Sequence, residues 1–290
     1  HNKNSVKQLT GEEVQLWEAN FGYSQNTHII GINQPLGQMY GYITEGLYQV
    51  SDFDYDATTQ TYTLKDGIPY AGDKANVKPG MWKFKNVDGS EDNKITEEDK
   101  TVIGNAYPKF YGGINNTFTY KDFDLSIFLT YSFGNDVLNA TKLTNTKTAL
   151  QNKNVLAAAD SHNRWVLVNK SGELITDPQE MAEINRGKTV AAIYDNEVGD
   201  TYIHSWAVED GSFLKLSNIT LGYTFPKKII EKIGISKLRL YATGSNLLTS
   251  PKYSGFDPEV STMGNGLTPG VDFGAYPKSR SFVFGINLAF

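Results

Sequence analysis

The sequence predicts an all-β protein, an antiparallel transmembrane β-barrel with long extracellular loops. Three features of the 290 residues point there: strict apolar/polar alternation in several segments, segment lengths of about 10–13 residues, and connections that alternate between short and long. Weak alternation runs from Met39 to Gln49 and again from Tyr111 to Tyr120. The latter meets the next segment at Lys121-Asp122, a hairpin loop of minimal length. There Phe123, Leu125, Ile127, Leu129, Tyr131 and Phe133 alternate with Asp124, Ser126, Thr130 and Ser132, and Phe128 alone breaks the polar side. Further on, Ile219, Leu221, Tyr223 and Phe225 face away from Asn218, Thr220, Gly222 and Thr224. Leu238, Leu240 and Ala242 oppose Arg239, Tyr241, Thr243 and Ser245 in the same way. The chain ends with Phe282, Phe284, Ile286, Leu288 and Phe290 on one side and Ser281, Val283, Gly285, Asn287 and Ala289 on the other.

Period-two alternation makes a strand with one apolar face, which can point into a soluble core or into lipid. Three features favour lipid. The segments match the roughly 9–11 residues needed to cross a membrane obliquely and carry Phe and Tyr near their ends, as interfacial girdles do. The connections, at 249–279, 226–236, 136–212, 121–122 and 50–108, run roughly 31, 11, 77, 2 and 59 residues. One rim thus has tight turns and the other large excursions, as periplasmic turns and extracellular loops do. With the long loops outside, Phe290 ends at the periplasmic rim. The segments at 39–49, 111–120, 123–135, 213–225, 237–248 and 280–290 give about six crossings, below the roughly 8 strands of the smallest closed membrane barrels. The chain is therefore expected to be the C-terminal part of a bigger barrel. It begins at His1 without an initiator Met or an apolar leader, which adds to the expectation of a longer parent.

Composition excludes other classes. Lys+Arg 27 against Asp+Glu 32 gives a net charge of −5, which argues against a nucleic-acid binder. Without cysteine there is no disulfide, thiolate metal site or cysteine nucleophile. No stretch approaches the roughly 18 apolar residues of a spanning helix.

Several motifs together resemble SusC/RagA-type TonB-dependent outer-membrane importers. They are Gly37-Gln38-Met39-Tyr40-Gly41-Tyr42-Ile43-Thr44-Glu45-Gly46-Leu47-Tyr48-Gln49, Thr101-Val102-Ile103-Gly104-Asn105, Pro108-Lys109-Phe110 and the hairpin from Asn116 to Leu125. Later come Glu209-Asp210-Gly211-Ser212-Phe213-Leu214-Lys215-Leu216, Ile219-Thr220-Leu221-Gly222-Tyr223, Gly255-Phe256-Asp257-Pro258-Glu259, Tyr276-Pro277 and Arg280-Ser281-Phe282. The resemblance implies a 22-stranded barrel in the outer membrane of a Gram-negative bacterium. An N-terminal plug would fill it, a SusD-like surface lipoprotein would act as its lid, and TonB would energise it. Plug and first part of the barrel lie outside residues 1–290, which would supply wall, turns and the extracellular loops at roughly 50–108, 136–212 and 249–279. The implied activity is import of oligosaccharides or peptides, without enzymatic chemistry. A soluble all-β module binding carbohydrate or a partner is the alternative, and a barrel lipase or protease a further one that no Ser/His or Asp/His pairing supports.

One constellation has metal-ligand spacing. Read as a 12-residue calcium loop, Asp88, Ser90, Asp92, Lys94 (through its carbonyl), Thr96 and Asp99 occupy positions 1, 3, 5, 7, 9 and 12. Asn93 stands where glycine is usual, and Asp99 is shorter than the usual glutamate. A solvated acidic loop is the alternative. No other cofactor is expected. Ser212 and Lys215 fit Ser-x-x-Lys, but on a strand rather than a helix start. The four His are scattered without metal spacing. Trp165, Trp206, Tyr194 and Tyr202 could stack on sugars, pack a lid or form the loop's own small core. Residues 154–165, with three consecutive alanines, read as a short helix. Lys227, Lys228, Lys232 and Lys237 crowd one short turn as a solvated face.

Overall fold

The computed structural model describes residues 1–22, 25–147, 154–194, 198–262 and 265–290. Five long strands form one antiparallel sheet in chain order: β1 (Phe110–Tyr120), β2 (Phe123–Phe133), β3 (Phe213–Thr224), β4 (Lys237–Pro251) and β5 (Ser281–Ala289). Register makes the alternation of each strand common to the sheet. Phe118 pairs with Leu125, Leu125 with Leu221, Leu221 with Ala242 and Ala242 with Phe284. The row below runs Tyr120, Phe123, Tyr223, Leu240, Ile286. One face is thus predominantly apolar, with Asn116 beside Ile127 and, at the loop rim, Ser250 beside Leu214 as polar exceptions. It is also uncovered: Phe118 is 57% exposed, Phe284 79% and Ile286 63%. An apolar face of this extent needs lipid to cover it. Its tight-turn end carries an aromatic band, with Phe123 and Tyr223 rings 4.7 Å apart and Tyr223 and Phe225 4.9 Å apart.

Loop parity follows the expectation over the four connections that join the strands of this sheet. β1 and β2 join at Lys121-Asp122, where Lys121 takes φ 52°, and β3 and β4 join at the same rim through the helix Lys227–Ile230 and a left-handed Gly234. The long segments between β2 and β3 and between β4 and β5 leave from the other rim. Among the described residues β1 and β5 pair on one side only, so the sheet is an open piece of wall. Unpaired edges are prohibitive in hydrocarbon, and further strands must complete them.

The sixth crossing, at 39–49, is not one. Gln38–Gly41 pairs with Thr101–Asn105, and Thr44–Leu47 with Trp82–Phe84, in two separate small sheets. Met39, Tyr42 and Leu47 are all buried. Gly46 at φ 94° breaks the extended run, and Gly41 packs so closely on the Ile203 carbonyl that no Cβ would fit. Residues here alternate only over a few positions because they enter an irregular core.

That core belongs to a second body, built from residues 1–109 together with the segments between β2 and β3 and between β4 and β5. One cluster joins Tyr42, Leu47, Trp82 and Phe84 to Trp165, Ile175 and Met181. Another joins Phe21 and Met39 to Leu138, Leu143, Ile203 and Val271. A third, around Tyr48, Phe53, Leu64 and Val77, is local. The helix expected at 154–165 is absent: one 3-10 turn forms at Ala157–Ala159. Asp160 stops it by accepting the backbone N–H groups of His162 and Asn163 at 3.0 and 3.1 Å. Helices form instead at Ala140–Asn145 and Pro178–Ile184, where Asn139 and Asp177 cap the first turn.

Candidate functional site

The candidate functional surface is the polar face of the sheet and the underside of the loop body at its rim. Polar side chains alternate on every strand, so register brings them together between strands. Thr220 and Thr243 hydroxyls lie 2.9 Å apart, Thr130 and Ser217 hydroxyls 2.6 Å, and the Asn218 amide donates to Ser245 at 3.2 Å. Ser217 reaches this row because the register of β3 shifts there against both neighbours. Towards the tight-turn rim, Arg239 donates through Nε at 3.0 Å and Nη2 at 2.6 Å to both oxygens of Asp124. Gly222 lies beneath the pair, where a Cβ would collide with both groups. The Tyr241 ring covers Gly285 and the Phe128 ring covers Gly113, so aromatic surface fills the glycine gaps and stiffens the wall.

At the loop rim a cleft of about 530 Å³ lies between Phe128, Thr130 and Phe213 of the sheet and Pro258, Glu259 and Pro269 of the last long loop. Beside it, Lys215 has a side chain only 7% exposed and donates to Glu259 at 2.7 Å. Burial opposes the charge on Glu259, but hydrogen bonds from Lys215 and Lys278 hold its carboxyl below the ordinary glutamate range. The surface is polar, charged and roofed, and can hold a hydrophilic solute without reacting with it. Ser212 and Lys215 do not meet as a nucleophile and base: the Ser212 hydroxyl accepts Gly134 N–H at 3.0 Å, and Lys215 serves Glu259.

The 88–99 segment does fold round on itself. Asp88 accepts Ser90 N–H at 2.8 Å, Asp92 accepts Lys94 N–H at 3.0 Å, and Thr96 accepts Glu98 N–H at 3.2 Å. Asn93 takes φ 55°, the left-handed turn expected of position 6. Asp99, fully buried, turns one oxygen to Val87 N–H at 2.7 Å and the other to Thr96 N–H at 2.8 Å. Among the described residues no three His, Asp or Glu side chains gather closely enough to hold a metal. Asp99 here ties the loop to the core beside Ile95, and Asp88, Ser90 and Asp92 stay at the surface turn.

The aromatic residues of the long loop are core. Trp165 is 1% exposed, and Tyr194, Tyr202 and Trp206 pack partly buried against the same cluster. His204 packs against both Trp82 and Trp206, and burial, helped by Lys147 and Lys142, pushes its pKa down to about 3. His28 bridges the Thr27 hydroxyl and the Pro269 carbonyl, each at 2.9 Å, and burial brings its pKa down to about 4. The four turn lysines are exposed, as a solvated face requires. The sequence reading missed the Asp124–Arg239 pair, although both residues sit on the polar sides of alternating strands. It also missed Glu259 and Lys278, which carry no local signal because their partner Lys215 is 44 residues from Glu259.

No family model matches the chain. Curated relatives do. TonB-dependent receptor P3 of Formosa agariphila is 29% identical across the whole chain, which spans 26% of that protein. TonB-dependent receptor SusC of Bacteroides thetaiotaomicron is 28% identical over 70% of the chain and 17% of its own length. Among solved structures, the RagAB peptide transporter superposes on 98% of this chain and 26% of its own, with TM-score 0.60 and 21% identity. The chain thus spans about a quarter of the length of the first relatives it matches. Those relatives are receptors and transporters rather than enzymes.

Proposed function

We propose, from the premise that this chain is a fragment of a SusC/RagA-type TonB-dependent transporter, that it supplies the C-terminal wall and much of the surface chamber of an outer-membrane importer. The single observation carrying this is the five-stranded sheet itself, apolar and uncovered on one face, hydrogen-bonded and polar on the other. The polar face would line the solute path, and the loop body would form the chamber under a SusD-like lipoprotein lid. TonB would act through a plug inside the barrel. The long segments would be extracellular and Phe290 periplasmic. Cargo would be an oligosaccharide or a peptide; the similar RagAB protein, a peptide transporter, supports the second. The test is uptake of labelled oligosaccharide and peptide pools by cells with and without the intact protein, with TonB inactivated in a third strain. Accumulation needing both supports the reading, and uptake indifferent to TonB overturns it. Recovery of the protein in buffer without detergent would favour the soluble alternative instead.

For the 88–99 loop we keep calcium as a proposal, with Asp88, Ser90, Asp92, the Lys94 carbonyl, Thr96 and Asp99 as ligands. It requires Asp99 to exchange its three backbone donors, Val87, Asp88 and Thr96, for the ion. Chelator should then raise hydrogen exchange at Val87 and Thr96, and unchanged exchange across millimolar calcium leaves Asp99 as a backbone anchor only.

A further inference from the structure

Where the last long loop folds back over the extracellular ends of β3 and β4, a second cleft of about 240 Å³ opens on the polar side of the wall. It is separate from the 530 Å³ cleft and is richer in charge. Lys215, Lys278 and Arg280 line it together with Asp257, and Glu259 reaches Lys215 and Lys278 through one oxygen at 2.7 Å each. Asp257 accepts Glu259 N–H at 2.9 Å and lies 3.9 Å from Lys278. Three cations thus meet two carboxylates. The unmatched charge is Arg280, which forms no hydrogen bond or ion pair among the described residues and is exposed. A buried lysine held by a carboxylate is a built feature, not a surface accident, because its desolvation is tolerated only when paired. Apolar surface borders the charges: Leu247 and Pro277 form walls, and Phe256, 77% exposed, stands at the rim.

We propose that this cleft binds a carboxylate of the transported oligomer, with Arg280 taking both its oxygens, Lys278 as secondary partner and Phe256 against the adjoining ring or apolar side chain. The inference rests on the import reading and sharpens it to an acidic cargo. A guanidinium matches a carboxylate in two parallel hydrogen bonds, and one surplus positive charge suits a singly charged group. The exposed Phe256 ring supplies a face for stacking against a flat or apolar neighbour. The same carboxylate chemistry occurs in uronate sugars and in acidic or C-terminal peptide residues.

The test uses the intact protein in detergent and measures affinity for four probes: trigalacturonate, a glutamate-containing tripeptide, and the neutral maltotriose and amidated trialanine. One or both acidic probes should bind at least about tenfold more tightly than their neutral counterparts, with the advantage shrinking as salt rises. Which acidic probe binds identifies the source. Arg280→Gln should erase the preference, Arg280→Lys should restore part of it, and Phe256→Ala should weaken acidic probes without abolishing the charge preference. Equal affinity for acidic and neutral probes, or a preference that survives Arg280→Gln, overturns the cleft assignment. Those outcomes leave TonB-dependent uptake intact, whereas failure of the import reading shows as loss of TonB dependence in cells, so the two failures are distinct.

Discussion

The sheet and the loop body are made from the same chain and solve opposite problems. In the sheet, side chains as large as Phe284 and Phe118 stay exposed, at 79% and 57%, while polar groups pair across strands on the other face. In the loop body Trp165, Phe84 and Tyr42 are at most 1% exposed, and several polar atoms, Trp165 Nε1 and His204 Nδ1 among them, are buried without a hydrogen-bond partner among the described residues. The sheet is stabilised by a solvent it does not contain, and the loop body by a core closed from distant segments. Their sensitivities to substitution should therefore differ in kind, and the comparison can be broken by changing one body while watching the other.

The largest effect should come from Trp165→Ala. The ring fills the space over Gly80, whose φ of 87° and absent Cβ admit it, and its backbone N–H donates to Val190 at 2.8 Å. Truncation of such a buried aromatic costs about 3–5 kcal/mol. Hydrogen exchange should rise through 154–194 while β3 and β4 keep their protection. Equal loosening of the strands would mean that the two bodies unfold as one.

On the sheet, Ile286→Arg should cost about 2–4 kcal/mol in a bilayer if it lies near the midplane, because its row faces lipid. Asn287, paired with Arg239 in register on the polar face, should accept lysine with little change. Unfolding from lipid vesicles in denaturant reads both, and similar losses at the two positions would undo the facing assignment.

Acid should act on the loop body through His28 and His204. Their folded pKa values lie below the ordinary 6.5, at about 4 and about 3, so the unfolded chain binds protons first as pH falls. Stability is full above about pH 6.5 and declines as pH falls towards 4, each histidine contributing a slope of up to about 1.4 kcal/mol per pH unit. His28→Gln, which can keep a donor towards the Pro269 carbonyl, should flatten part of that slope. A midpoint of loop exchange independent of pH between 4 and 6.5 would assign the acid sensitivity elsewhere.

How much of this was legible in sequence follows the same division. β1 to β5 were readable nearly to the residue, because a strand with one lipid face and one polar face writes period two directly into the chain. Residues 39–49 misled for the complementary reason: both sides of Met39 and Tyr42 are covered, by segments far along the chain that a local pattern cannot announce. The calcium spacing at Asp88 to Asp99 was readable as a turn, and Asn93 adopts it, but spacing does not say whether Asp99 faces an ion or the backbone donors it holds. The Lys215–Glu259–Lys278 cluster was invisible because its members come from a strand and two points of a loop that only the fold brings together.

The smallest expected effect probes where the two faces of the wall meet the solute path. Asp124 and Arg239 are 115 positions apart and pair in bidentate fashion, yet their side chains remain 30% and 22% exposed. A wetted pair of this kind contributes about 0.2–1 kcal/mol, however good its geometry, because water and salt screen it. Asp124→Asn and Arg239→Gln should each lower stability slightly, and the double variant should fall by less than their sum. The shortfall in such a cycle isolates the coupling. It should shrink in high salt if the polar face is open to water, as a transport path requires. A coupling above about 2 kcal/mol that ignores salt would place the pair in a dry interior, and the polar face would then be packed core instead of channel wall.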